Sequence, residues 1–140
     1  MKITEFKLHI EDLFLGRGWG FWFGTFQSYI EKKEAQENEI VWETFEVPLT
    51  RPGLCRVNID VIIYAGILTN NEKIKAGETD IYMQRIDDMV QETVELIESS
   101  QRLHILNSAE NIRFRYIESN SINNQLWGRF PVKLQVNGFW

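Results

Sequence analysis

Cysteine and histidine are nearly missing from this chain of 140 residues, which has one cysteine, Cys55, and two histidines, His9 and His104. One cysteine excludes an internal disulfide framework, and two histidines so far apart offer no zinc-type ligand spacing. Basic charge is also short: 15 Lys and Arg stand against 20 Asp and Glu, a net charge of -5. That balance disfavours a sequence-independent nucleic-acid binder, whose affinity comes from cations neutralising phosphates. Long apolar runs are absent too. No stretch approaches the roughly 20 residues a bilayer span needs, and the opening MKITEFKLHIEDLF is amphipathic and acidic, unlike a secretory leader. The segment GRGWGFWFG has glycines but neither GxxxxGK[ST] nor a GxGxxG opening a helix, so no phosphate loop is written. The expectation is a protein that is not an enzyme, with no catalytic, cofactor-binding or metal residues, no cofactor and no membrane partner.

What is present is pattern. With 44% hydrophobic residues the chain can bury a sizeable core, and its length suits a single domain over 1–140. Thr4 is an expected N-cap for a short helix in which Phe6, Ile10, Leu13 and Phe14 share a face, with Gly16 as its stop. Residues 16–26 follow, where glycines alternate with Trp19, Phe21, Trp22, Phe23 and Phe26. These read as an irregular strand plugging one end of the core, with a subunit contact as the sharper alternative because aromatic residues are enriched in interface cores. Ile30 to Glu39 is polar and reads as a solvated loop or helical turn.

Ile40–Leu49 and Cys55–Ala65 read as two strands of a hairpin turning through Pro52 and Gly53. Cys55, Val57, Ile59, Val61 and Ile63 share one face against Arg56, Asn58 and Asp60 on the other. In the first strand Val41, Phe45 and Val47 oppose Ile40 and Trp42, so both faces need cover from a second layer or a neighbouring subunit. A 13-residue polar connection, Gly66 to Glu78, leads to the strongest helix, Asp80 to Ser100, with Thr79 as N-cap. Its stripe of Tyr82, Ile86, Met89, Val90, Thr93, Leu96 and Ile97 should lie on a sheet. Its acids Asp87, Asp88, Glu92, Glu95 and Glu98 read as a solvated face, and His104 as a cap at its end. Ile112, Phe114 and Tyr116, then Phe130, Val132, Leu134 and Val136, mark a second antiparallel pair, with Pro131 at an edge, bulge or unbonded position. Arg113, Arg115, Arg129 and Lys133 form a basic outer face, expected to pair with Glu43, Glu46 or Asp60 more readily than with phosphate. Cys55 reads as an inert small hydrophobe. The fold class expected is α/β of the α+β kind, one domain, mainly antiparallel, with a long helix across the sheet and a short N-terminal helix.

That order, with a hairpin ending in VNIDVIIYA, the helix TDIYMQRIDDMVQETVELIESS and a close of RFPVKLQVNGFW, resembles the tail-terminator and neck (head–tail joining) proteins of tailed bacteriophages. The resemblance implies a non-catalytic subunit of a ring homo-oligomer, a hexamer or dodecamer. Such a ring sits in the virion neck or tail, is made in the host bacterial cytoplasm, contacts neighbouring neck or tail proteins and lets DNA pass its channel without specific binding. Interface residues expected on this reading are Trp19, Phe21, Trp22, Phe23, Ile40, Trp42, Ile67, Leu68, Phe139 and Trp140. Two alternatives stand beside it: a small-ligand or peptide-binding module whose cleft is lined by Trp19, Trp22, Trp42 and Trp127, and, further off, a carboxylate-dependent hydrolase needing two facing acids.

Overall fold

Strict alternation of apolar and polar residues builds the centre of the molecule. In the computed structural model, which describes residues 3–31, 36–44, 56–69, 79–108, 111–117 and 124–137, strand β3 (Arg56–Leu68) buries Val57, Ile59, Val61, Ile63, Ala65 and Ile67 on one face. Arg56, Asn58 and Asp60 face solvent on the other. Strands β1 (Gly20–Phe23), β2 (Asn38–Thr44), β4 (Leu103–Ser108), β5 (Arg113–Ile117) and β6 (Gln125–Asn137) complete a six-stranded mixed sheet in the order β1-β2-β3-β6-β4. β5 also pairs with β6, beside residues 125–129, while β4 pairs beside 132–136. Among the described strands, β1–β2 is the one parallel pairing. Two helices, α1 (Ile3–Phe14) and α3 (Thr79–Ser99), cover one face and a third, α2 (Phe26–Glu31), part of the other. The expected single α+β domain is what forms.

The hairpin is β2–β3, antiparallel, and its register, Thr44 opposite Val61, is the one a tight turn centred on Pro52–Gly53 requires. The turn itself, Cys55, Phe45 and Val47 lie outside the described residues. β3 does not end at Ala65; Gly66, Ile67 and Leu68 stay in the sheet because Trp127, Leu126 and Gln125 lie opposite them. The polar connection therefore starts later than its sequence suggests, and residues 70–78 lie outside the described residues.

α1 presents Phe6, Ile10 and Phe14 to the core, as its spacing requires, but its bounds differ from expectation. Thr4 lies inside the first turn, and the helix runs past Gly16 through a 3-10 turn at Leu15–Arg17. The stop is Gly18, whose φ of 71° places it in the left-handed region that a side chain resists. α3 seats Ile86, Met89, Thr93 and Ile97 on the sheet, and the hydroxyl of buried Thr93 donates to the Met89 carbonyl at 2.8 Å, so the polar group among these four is satisfied. Its acids stay at the surface: Asp87 and Asp88 accept from Gln91 and Gln84, and Glu92 pairs with Arg17 at 3.6 Å.

Of two late features, one corrects the sequence reading and the other meets it. Residues 103–108, taken as following the helix, form β4, and His104 lies in that strand with Nδ1 3.5 Å from Glu98 instead of capping α3. Pro131 sits in β6, opposite Ile62, in the interval where the outer strand changes from β5 to β4, and has no outer partner among the described residues, in keeping with the unbonded position expected of it.

His9 ties α1 to the end of α3 through a 2.7 Å hydrogen bond with the Ser100 hydroxyl. Burial, and then the Arg102 cation, push its pKa below the ordinary 6.5, with Asp12 opposing. The folded chain thus resists protonation that the unfolded chain accepts. Stability is fully present above 6.5 and is lost as pH falls through the lowered value. Urea midpoints compared at neutral and mildly acidic pH should fall in the parent, and His9→Gln should flatten that slope.

Candidate functional site

The second face of the sheet carries the chemistry. α2 reaches it because Thr25 starts the helix: its hydroxyl accepts from the Ser28 amide at 3.1 Å and its carbonyl from the Tyr29 amide at 3.2 Å. The Gly24 amide donates to the Trp42 carbonyl, and Trp22 Nε1 donates to the Ser28 hydroxyl, fixing the entry to the helix. Phe26 and Tyr29, three residues apart, then press onto Val41 and Trp127 in a small second core. Phe26 stacks on Tyr64 with centroids 4.2 Å apart and planes at 7°, and meets Trp127 edge-on at 5.1 Å. Val41 thereby finds its cover within the chain, where the sequence left a neighbouring subunit open.

Two carboxylates are buried beneath this layer. Glu43 Oε1 accepts from the Phe26 amide at 2.9 Å, satisfying an N–H that a helix start leaves free, and Oε2 accepts from the Tyr64 hydroxyl at 3.2 Å. Tyr64 lies opposite Arg129, which hydrogen-bonds it; burial pushes the phenol's pKa up, the Arg129 bond pulls it down, and the Glu43 charge pushes it up again. Glu39, read from sequence as solvated, is fully buried; it accepts from the Gln36 amide at 2.8 Å and hydrogen-bonds with Tyr29. Gly20 lies against the Glu39 carboxylate, where a Cβ has no room. Tyr29 also accepts from Gln125, whose carbonyl accepts from Trp127 Nε1, each at 3.3 Å, and burial raises the Tyr29 pKa well above its ordinary value. Both acids serve internal hydrogen bonds and not an open cleft.

Beside this layer opens a pocket of about 300 Å³. Phe26, Tyr64 and Trp127 line it, and Arg113, Arg115 and Arg129 stand around it. A wider, shallower depression of about 490 Å³ lies between α3 and Ile112, lined by Asp80, Met83 and Asp87. It is wide open to solvent, so the smaller, more enclosed pocket with its apolar wall fits a binding site better. Among the described residues no three His, Cys, Asp or Glu side chains gather as a metal ion would require. No helix described is long and apolar enough to cross a membrane.

No family model and no curated protein matches this chain significantly.

The residues expected at an interface are spread out. Ile40, Trp42 and Ile67 are fully buried in the main core, where they contact their own chain and leave nothing for a partner. Trp19, Phe21 and Phe23 pack at the edge of that core, partly exposed; Phe14 meets the Phe21 ring at 5.9 Å and the Trp19 ring at 6.1 Å. Trp22 belongs to the second core, Leu68 is half-buried, and Phe139 and Trp140 lie outside the described residues. The four tryptophans weighed as one cleft are divided by the sheet, Trp19 and Trp42 on one face and Trp22 and Trp127 on the other. Of the expected cross-strand charge pairs, the register brings Asp60 opposite Lys133, without an ion pair between them. Arg113 instead faces Arg129, and Arg115 faces Trp127. Phe26, Tyr29, Tyr64 and Glu43 escaped the sequence reading as site residues. The signal for α2 was there, a Thr25 cap followed by aromatic residues three apart, but it was hidden within a run of rings.

Proposed function

We propose that this protein is a ring-forming structural subunit of a bacteriophage neck or tail, working by assembly and not by catalysis. The observation that carries the reading is the pair of unlike edges the sheet leaves open among the described residues. At one end β1 has no outer strand among the described residues, and α1, packed over it, and the 3-10 turn that follows expose Leu8 and Leu15, at 58% and 74%. At the other end β4 has a register shift between Ile105 and Asn107 and exposes Leu106 at 43%. A closed ring needs two different complementary surfaces on each subunit, and two opposite edges with apolar side chains supply that heterologous arrangement. The layout of helix, hairpin, long helix and late strands is also the one on which the phage resemblance rests. An acidic surplus facing a channel would let DNA pass without its phosphates being neutralised.

The test is the native mass of the purified protein, with electron microscopy of the particles and of virions carrying a label on this chain. A closed ring at the junction of head and tail is the expected result, and Leu15→Asp or Leu106→Asp should yield folded monomers. A parent protein that stays monomeric alone and with tail tubes, or turnover of a small substrate, would overturn the assignment.

A further inference from the structure

We propose that the pocket bounded by Arg113, Arg115, Arg129 and the Phe26–Tyr64–Trp127 rings binds a small organic anion with a flat apolar body, a ring carrying a carboxylate or phosphate. The inference does not rest on the assembly reading, since the pocket lies on the face away from α1 and α3.

The first observation is a like-charge pair. Arg113 and Arg129 are direct partners on antiparallel β5 and β6, and like charges directly opposite destabilise a sheet. Arg115, two residues along β5, adds a third cation to the same face. Among the described residues no carboxylate lies within ion-pair distance of any of the three. Lys133 on the same strand as Arg129, by contrast, sits opposite Asp60. Arg129 has a hydrogen bond to Tyr64, behind which stands the single negative charge of Glu43. Three cations against one buried acid leave the pocket positive in a chain whose net charge is -5. An oxyanion between Arg113 and Arg129 turns the repulsion into charge-assisted hydrogen bonds, and the planar guanidinium fork suits both carboxylate and phosphate.

The second observation is the ring lining. Phe26 and Trp127 are 7% and 1% exposed, locked against each other and against Tyr29, so the apolar wall is already formed. A preformed wall spares the ligand the cost of ordering it. A volume of about 300 Å³ is at the small end for ligand pockets, enough for one or two fused rings and too little for a folded peptide segment. Arg113 and Arg115 are exposed, so the charged rim is open to solvent. A strand of nucleic acid is disfavoured as occupant because its many phosphates would meet the chain's acidic surplus beyond this one island.

Isothermal titration with 1-naphthoate, 1-naphthyl phosphate and the neutral 1-naphthalenemethanol tests the proposal. At least one anion should saturate a single site per chain, the tighter of the two identifying the headgroup, with the neutral compound weaker by roughly tenfold or more. The Arg113→Ala, Arg115→Ala double variant should lose about tenfold or more in anion affinity while leaving the neutral compound's weak binding unchanged. Its melting temperature should equal or exceed the parent's, because a repulsive pair has been removed. Three results overturn the proposal: no saturable anion binding, equal binding of the neutral compound, or unchanged anion affinity in the double variant. A marked fall in the variant's melting temperature would show that the arginines are structural, and overturns it as well.

Discussion

Replacing Trp127 with alanine should lower the stability of this protein by about 3–5 kcal/mol, as for other fully buried large aromatic side chains. Trp127 is 1% exposed and is held edge-on by both Phe26 at 5.1 Å and Tyr29 at 5.0 Å. Its loss removes the wall on which α2 rests and leaves Gln125 Oε1 without the Nε1 donor it has now. The side chain cannot be replaced by collapse, because Gly66 beside it presents no Cβ and the sheet below is fixed by the long β3–β6 ladder. Urea unfolding followed by circular dichroism measures the change. Trp127→Phe should recover part of it, since a ring still meets Phe26 and Tyr29, while the smaller side chain leaves a cavity and the hydrogen bond to Gln125 is lost, the latter costing about 1 kcal/mol. If Trp127→Ala shifts stability by less than the phenylalanine variant, the second core contributes nothing and α2 is held by its connections alone.

Gly128→Val should be at least as damaging, by about 3 kcal/mol or more, for the opposite reason. A Cβ built at 128 would lie 2.5 Å from Ile86 Cγ2 and 2.8 Å from Ile112 Cγ2. Neither neighbour can give way: Ile86 is fully buried at the centre of the α3 stripe, and both side chains are branched and stiff. The glycine therefore lets Ile86 of α3 pack directly on the β6 backbone, and any side chain there pushes the helix from the sheet. Gly128→Ala should cost about 1–3 kcal/mol, and pairing it with Ile86→Leu, which removes the Cγ2 methyl, should recover part of that loss. Equilibrium unfolding of the two single variants and the double variant decides it. An alanine tolerated at no cost would mean that the helix has freedom to shift that its packing does not suggest.

The architecture was legible wherever one physical signal ran long enough to outvote chance. Nine residues of strict alternation gave β3 and its buried face; the stripe from Tyr82 to Ile97 gave α3; alternation around Pro131 gave the late strand. Local signals were read less well at ends, because a helix end is set by whichever residue can take an unusual φ. Two glycines, Gly16 and Gly18, both qualified by type, and only the second is used. β4 was missed because its bulge at Leu106 breaks the alternation that announces a strand. The aromatic run was misjudged in organisation and not in composition. Its rings alternate faces, so Phe21 and Phe23 join one core while Trp22 joins the other.

The sequence by itself determined that this is an α+β domain with one thoroughly apolar sheet face, because hydrophobic period is a property of neighbours along the chain. It also determined which side chains are available for chemistry, and how few they are. Tertiary structure alone decided what meets across strands 12 or more residues apart. That Arg113 stands against Arg129 and not an acid, that Glu39 and Glu43 are buried as internal acceptors, and that Phe26 stacks on Tyr64 all follow from register and crossover. Register between distant strands is fixed by the whole sheet's burial, not by any local run of residues, and for that reason the pocket it creates has no signature in the sequence.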